Sequence, residues 1–207
     1  MSGTSRRAQI AHLKKNDPKL KRVIEGITLK ELAAPRGYFE ALVEAITSQQ
    51  LSVKAADTIF ARFCALTPGK KCPTPREVIK IPPAKLRACG LSGMKVKFIK
   101  DLAKHVANKT LDLETIDALS DADVIARLTA VKGIGRWTAE MFLIFSLRRA
   151  DVFSYGDLGL RKAMQKIYKM KKLPTPAQAA RITAKWKPYR SMGARYLWAS
   201  LRNEPIK

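Results

Sequence analysis

Long apolar runs are missing from this chain: no stretch approaches the ~20 residues that a membrane span requires, and no charged segment followed by an apolar one opens it, so neither a membrane protein nor a secretory leader is expected. Acids are scarce, with 17 Asp and Glu against 40 Lys and Arg, a formal net charge of +23. Solubility alone does not need such an excess. It predicts a polyanionic partner, with an acidic membrane surface as the rival to nucleic acid. Cysteine is sparse too. Cys64, Cys72 and Cys89 are odd in number and irregular in spacing, which argues against a disulfide framework. His12 and His105 lie far from them in sequence and no C-x-x-C occurs, which argues against zinc. A cluster needing four thiolates is excluded on one such chain. A reducing intracellular location is expected, cytoplasm or nucleoid in a prokaryote and nucleus in a eukaryote. Strand-like alternation is absent, as are low-complexity tracts and repeats, apart from a faint helix-turn-helix echo at 84–104.

What is there is helical periodicity. The 207 residues are 46% hydrophobic, enough for one compact domain or two intimate lobes. Met1 to Ser5 are small and polar, the composition of a frayed end. Asp17 and Pro18 read as N-cap and first turn of a helix that Gly26 ends. After a turn at Pro35-Arg36-Gly37, residues 38–48 place Phe39, Leu42, Val43 and Ile46 on one face. Gln49, Gln50 and Leu51 interrupt this helix, and Ser52 caps the next, 53–66. A proline- and lysine-rich loop follows at 67–75, then short helices at 76–80 and 84–89 and a longer one at 94–108. In that longer helix Lys95, Lys97, Lys100 and Lys104 form a row that reads equally as a solvated face or as a phosphate contact. Helices at 158–168, 177–185 and 189–201 complete an all-α chain of about ten helices.

The densest signal lies at 128–157, which the end of an amphipathic helix opens. Residues 121–131 are amphipathic through Val124, Ile125, Leu128 and Val131, with Ser120 as N-cap and Asp121 and Asp123 suited to the helix dipole. Gly133 and Gly135 then break the chain, and a second helix runs from Arg136 to about Leu147. A helix start behind a glycine turn leaves N–H donors uncovered and can hold a phosphate. Asp157 follows just past this second helix. Taken alone, Asp157 reads as the cap of the helix at Leu158, and Asp151 as a local cap or partner of Arg148 or Arg149.

Gly133-Ile134-Gly135-Arg136-Trp137-Thr138-Ala139, the spaced Asp157 and the upstream Ser48-Gln49-Gln50-Leu51-Ser52 together resemble the helix-hairpin-helix (HhH-GPD) DNA glycosylases. The 3-methyladenine DNA glycosylase II branch is the most similar, and the resemblance runs from about Tyr38 to the C-terminus. It implies two helical lobes, 1–37 with 150–207 and 38–149, with Asp157 and the hairpin facing across a cleft. It implies a base-excision enzyme acting on alkylated purines in double-stranded DNA, as a monomer. Asp157 would be the catalytic carboxylate, stabilising positive charge on the sugar or activating water.

By the same resemblance Trp137 and Trp198 would line the base pocket, with Tyr38 and Tyr155 as further candidates; each tryptophan also reads as core. Gln50 would enter the base stack from the minor groove, against the plain reading of a solvent-facing or capping glutamine. Leu51, Ser52, Lys132, Gly133, Gly135, Arg136 and Thr138 would meet DNA, largely through phosphates. The lyase-type members carry a lysine where this chain has Trp137, so water, not an amine, would be the nucleophile. No cofactor is required on this reading. A structural Na+ or K+ in the hairpin, on main-chain carbonyls of Thr129, Val131 and Ile134, is implied by the family alone. The chain departs from larger members, which carry an additional N-terminal β-rich domain. The rival reading is a non-catalytic helix-hairpin-helix module that only binds DNA.

Overall fold

The structure, a computed structural model, describes residues 5–32, 36–67, 69 and 72–201. The expected frayed end at Met1 to Thr4, Pro35 of the turn, and Pro68, Lys70 and Lys71 of the loop lie outside the described residues. Among the described residues there are twelve α-helices and no strand. They are α1 (Arg6–Asn16), α2 (Pro18–Gly26), α3 (Tyr38–Ser48), α4 (Val53–Cys64), α5 (Pro75–Lys80) and α6 (Pro83–Ala88). After these come α7 (Gly93–Ala107), α8 (Asp121–Thr129), α9 (Arg136–Phe145), α10 (Leu158–Tyr168), α11 (Pro176–Thr183) and α12 (Arg190–Ser200). Short 3-10 turns at Ile116–Ala118 and Ala184–Trp186 are the remaining helical pieces. No helix among the described residues is long and apolar enough to cross a membrane.

The chain divides into two compact units, residues 1–33 with 148–207, and residues 34–147. In the first, α1, α2, α10, α11 and α12 close over a core that includes Leu13, Leu20, Phe153, Met164, Trp186 and Leu197. Its polar centre is Asp17. The side chain caps α2 by accepting from Lys19 N (3.0 Å) and Leu20 N (3.1 Å), as the Asp17-Pro18 pair predicts. The other carboxylate oxygen accepts from Trp186 Nε1 (2.8 Å) and the Tyr168 hydroxyl, and Lys185 Nζ lies 3.3 Å away. Gly193 lets α12 lie directly on Trp186, because a Cβ there would sit 2.5 Å from the indole.

The second unit is α3 to α9. Helix α7 runs through it with Val96, Ile99, Leu102 and Ala103 buried. The lysine row on this helix is neither of the things expected of it as a whole. Lys95 and Lys100 each turn inward onto a helix end: Lys100 Nζ donates to Ile79 O (3.0 Å) and Ile81 O (2.7 Å) at the C-terminus of α5. Orphan carbonyls at a helix C-terminus attract a cation, so two of the four lysines are structural caps. Lys97 and Lys104 remain exposed.

Cysteine departs from expectation. Cys64 and Cys72 form a disulfide, with Cα atoms 4.1 Å apart across eight residues. The chain turns back directly after α4, a local closure that an odd, irregular cysteine count does not exclude. The bond removes the cysteine argument for a reducing compartment. Glu40 lies beside the pair, its carboxylate and both sulfurs within 4.8 Å of one another, but sulfurs joined to each other are not the thiolates a metal takes. Cys89 is buried and free.

Candidate active site and nucleic-acid interface

The hairpin closes through short-range bonds. Ser120 caps α8 by accepting from Asp123 N (3.1 Å), and α8 ends at Thr129, two residues earlier than its apolar pattern. Val131 N then donates to Leu128 O and Ile134 N to Val131 O, both at 3.1 Å, so Val131 and Ile134 become buried plugs under the turn. Gly133 sits at φ +83°, and a Cβ there would be 2.3 Å from the Phe98 ring of α7, so this position admits only glycine. Gly135 is the N-cap of α9 and offers no side chain to cover its first amides. Among the described residues the bonds that close the hairpin use the amides of Val131, Lys132 and Ile134 and none uses Gly133 or Gly135.

For two of the expected DNA contacts the structure separates backbone from side chain. The Lys132 amide donates to Asp101 Oδ2 of α7 (2.9 Å), which leaves only the exposed lysine side chain for a phosphate. Thr138 is 6% exposed and faces inward, so only its backbone is left to the expected phosphate site in the first turn of α9. Arg136 is exposed, and its Nε donates to Glu140 (2.9 Å) one turn on.

The corner between α3 and α4 lies against this hairpin, within the same unit. The Gln49 amide nitrogen donates to Gly133 O (2.9 Å). Lys95 Nζ donates to Thr47 O (2.8 Å) and Gln49 O (2.7 Å), the carbonyl end of α3. Burial holds the Lys95 amine below its ordinary value. Gln50 is exposed at φ +57°, a left-handed backbone uncommon outside glycine. Leu51 is 39% exposed, and Ser52 Oγ accepts from Ala55 N (3.4 Å) to cap α4.

Asp157 belongs to the other unit. It is the N-cap of α10, 8% exposed, and its Oδ1 accepts from Leu160 N (2.6 Å) and from Trp198 Nε1 (3.0 Å). The capping reading is therefore correct as far as it goes, and a long-range indole donor is added to it. Trp198 is half-buried, at the edge of the core and on the acid at once. Gly159 makes room: a Cβ there would lie 3.1 Å from Asp157 Oδ1 and 3.4 Å from Trp198 Cδ1.

The strand of chain leading to Asp157 is stitched to the start of α12, the helix that carries Trp198. Arg190 forks onto Asp151, Nε to Oδ1 at 2.7 Å and Nη2 to Oδ2 at 2.9 Å. Ser191 Oγ accepts from Val152 N (2.9 Å) and donates to Val152 O (3.2 Å). The expectation that Asp151 pairs with Arg148 or Arg149 is thus corrected to a partner 39 residues away. A bidentate fork is far more specific than a contact between chain neighbours.

Of the aromatic candidates, Trp137 is 52% exposed on the first turn of α9. Tyr38 stacks edge-on against Phe142 and donates its hydroxyl to Asp117 (2.8 Å). Tyr155 packs on Phe153, and its hydroxyl accepts from Arg190 Nη1 (2.9 Å), so it buttresses the clasp. Gln49 and Lys95 hold the α3–α4 corner in one unit, and Gly159, Asp151 and Arg190 surround Asp157 and its approach in the other, roles that the sequence does not announce. Nothing local distinguishes Lys95 from Lys97, or Arg190 from the other arginines.

This arrangement, a glycine hairpin opening a helix and a buried aspartate capping another, has a known home. The chain matches the HhH-GPD superfamily base excision DNA repair protein family over residues 43–188 and belongs to it. It is 38% identical over 161 residues to DNA-3-methyladenine glycosylase 1 of Schizosaccharomyces pombe, a match covering 77% of this chain and 71% of that protein. DNA-3-methyladenine glycosylase 2 of Escherichia coli is 30% identical over 168 residues, 77% of this chain and 56% of the relative. Among solved structures, the S. pombe 3-methyladenine DNA glycosylase in complex with abasic DNA aligns with TM-score 0.84 and 34% identity, over 95% of this chain and 98% of that one. The DNA-3-methyladenine glycosidase of Bacillus halodurans aligns with TM-score 0.85 and 32% identity, over 100% of this chain and 95% of its own.

Proposed function

We propose that this protein is a monofunctional glycosylase that hydrolyses the N-glycosidic bond of alkylated purines in duplex DNA. The carrying observation is Asp157, a buried carboxylate fixed through Oδ1 by an amide and an indole, in a member of a base-excision family. Departure of the base leaves positive charge on the sugar. A carboxylate locked in place stabilises that charge more in the transition state than in the ground state, without reorganising as it forms. The same group orients or deprotonates the attacking water. The Trp198 ring, tied to the acid, offers a face to a cationic alkylated purine, as does the exposed Trp137. A base alkylated to a cation departs without an acid to protonate it, in keeping with a motif region that has no histidine.

The base must leave the stack to be cut, and Gln50 at the apex of its corner is the side chain that fills the gap. Trp137 holds the position where an amine would form a Schiff base, so the reaction ends at an abasic site with the strand intact. Phosphates sit on the Gly133 and Gly135 amides and the first turn of α9, and the surplus of Lys and Arg adds salt-dependent affinity. The hairpin carbonyls of Thr129, Val131 and Ile134 are an oxygen-only set suited to Na+ or K+. Val131 O already accepts the Ile134 amide and keeps one lone pair, while the Thr129 hydroxyl turns away onto Ile125 O.

The test is base release from methylated duplex DNA by the parent and by Asp157→Asn, with strand breaks scored before and after alkali. Asparagine caps as well as aspartate, so the variant folds, and release falls by about 100-fold or more with the fixed charge gone. Breaks appear only after alkali. Salt-dependent binding by both proteins with release by neither would leave a DNA-binding module instead.

A further inference from the structure

We propose that Lys95 is the positioning residue for Gln50, and that Gln49 couples it to the hairpin. The inference rests on the reading of Gln50 as the residue that enters the DNA stack. A wedge must keep its shape while bases press on it, and a loose corner would have to be ordered anew at every insertion. Helix α3 ends at Ser48 with unsatisfied carbonyls and the negative end of its dipole. The Lys95 ammonium bridges two of these, Thr47 O and Gln49 O, at 2.8 and 2.7 Å. Leu51 N donates back to Ser48 O (3.2 Å) and closes the turn around Gln50, which is held left-handed at its tip.

The residue before the tip is held twice, by its carbonyl on Lys95 and by its side chain on Gly133 O. The same face of α7 supports the hairpin through Phe98 beneath Gly133 and through Asp101 on the Lys132 amide. Lys95, Phe98 and Asp101 recur at three-residue spacing, one face of a helix. One helix thus sets the distance between the phosphate-binding turn and the wedge, so that a phosphate seated on the hairpin fixes where Gln50 lies along the strand.

The experiment uses the intact protein and a duplex with 2-aminopurine beside a tetrahydrofuran abasic analogue, whose fluorescence reads insertion, alongside single-turnover base release. Lys95→Met removes the charge and keeps the length. Lys100→Met is the control, since Lys100 makes the same paired-carbonyl contact at the end of α5. Both variants lose thermal stability. Lys95→Met alone slows release by about tenfold and weakens the fluorescence change, the size expected for one charged hydrogen-bonded contact. Lys95→Arg, which can bridge two carbonyls, recovers most of both. In a Gln50→Ala background Lys95→Met costs nothing further, because its effect runs through the wedge.

Equal losses from Lys95→Met and Lys100→Met, or full additivity with Gln50→Ala, overturn the proposal while leaving the wedge intact. If Lys95→Met does not fold, the comparison of Lys95→Arg and Gln49→Ala with the parent decides it by the same two readouts. Parental insertion and release by Gln50→Ala overturn the wedge itself, and the role of Lys95 with it.

Discussion

Gly159→Ala separates the acid's position from the helix it caps. Gly159 is the second residue of α10, at a backbone that alanine can adopt, and a Cβ there lies 3.1 Å from Asp157 Oδ1, 3.4 Å from Trp198 Cδ1 and 3.5 Å from Trp198 Nε1. Two effects oppose each other in stability. Alanine in place of glycine contributes up to about 1 kcal/mol to a helix. The methyl pushes Oδ1 by a few tenths of an ångström, stretching bonds that now stand at 2.6 Å to Leu160 N and 3.0 Å to Trp198 Nε1. A hydrogen bond to a charged group contributes about 1.5–3 kcal/mol, so a partial stretch costs on the order of 1 kcal/mol. The net change in melting temperature is therefore small. Catalysis has no such compensation. A misplacement of 1 Å costs about 100-fold, so a few tenths should cost roughly threefold to tenfold in single-turnover release of methylated base. Release and melting are measured on the same preparation. Parental release from a folded Gly159→Ala protein would refute the view that the Asp157–Trp198 geometry sets the rate.

Gly133→Ala, at φ +83° with its Cβ 2.3 Å from Phe98, should destabilise the protein by about 2–4 kcal/mol in denaturant melts. Gly135→Ala, with open space at its Cβ but at the N-cap of α9, where alanine is disfavoured, should cost only about 0.5–1 kcal/mol. For Asp17, burial raises the carboxyl, but the Tyr168 hydroxyl, the Trp186 indole, the Leu20 amide and Lys185 together hold it below the ordinary 3.8. A depressed folded value contributes stability above pH 3.8 that is lost as pH falls through the lower folded value. The melting temperature of Asp17→Asn should accordingly fall less steeply in acid than the parent's. Reducing Cys64–Cys72, which closes a loop of eight residues, should cost about 2–3 kcal/mol, and Cys64→Ser should make the melt insensitive to dithiothreitol.

What could be read in the sequence was local. Ser120 before α8, Asp17-Pro18 before α2 and Ser52 before α4 cap the helices they announce, because a cap acts within three residues of itself. The break at Gly133 and Gly135 was legible for the same reason. Ends ruled by neighbours in space were less so: the apolar pattern of α8 continues to Val131, yet the chain leaves the helix at Thr129 to bury Val131 beneath the hairpin. The partner of Asp151 was missed because Arg190 is close only after α12 has packed. The inward turn of Lys95 and Lys100 was missed because a lysine row has one appearance whether it meets water or a helix end. The disulfide was missed because spacing does not show where a loop returns.

The cations that turn inward have a consequence beyond packing. With 17 acids for 40 Lys and Arg, most positive groups have no carboxylate to meet. Several settle on main-chain oxygen instead: Arg161 on Pro174 O and Arg195 on Lys30 O, as well as Lys95 and Lys100. A carbonyl satisfies the donor yet carries no net charge to cancel it. These residues fasten the structure and still project their full charge outward, where an ion pair would have silenced it. Architecture and attraction to a polyanion thus draw on the same side chains, and the reach of the molecule's field is set by its framework as well as by its surface.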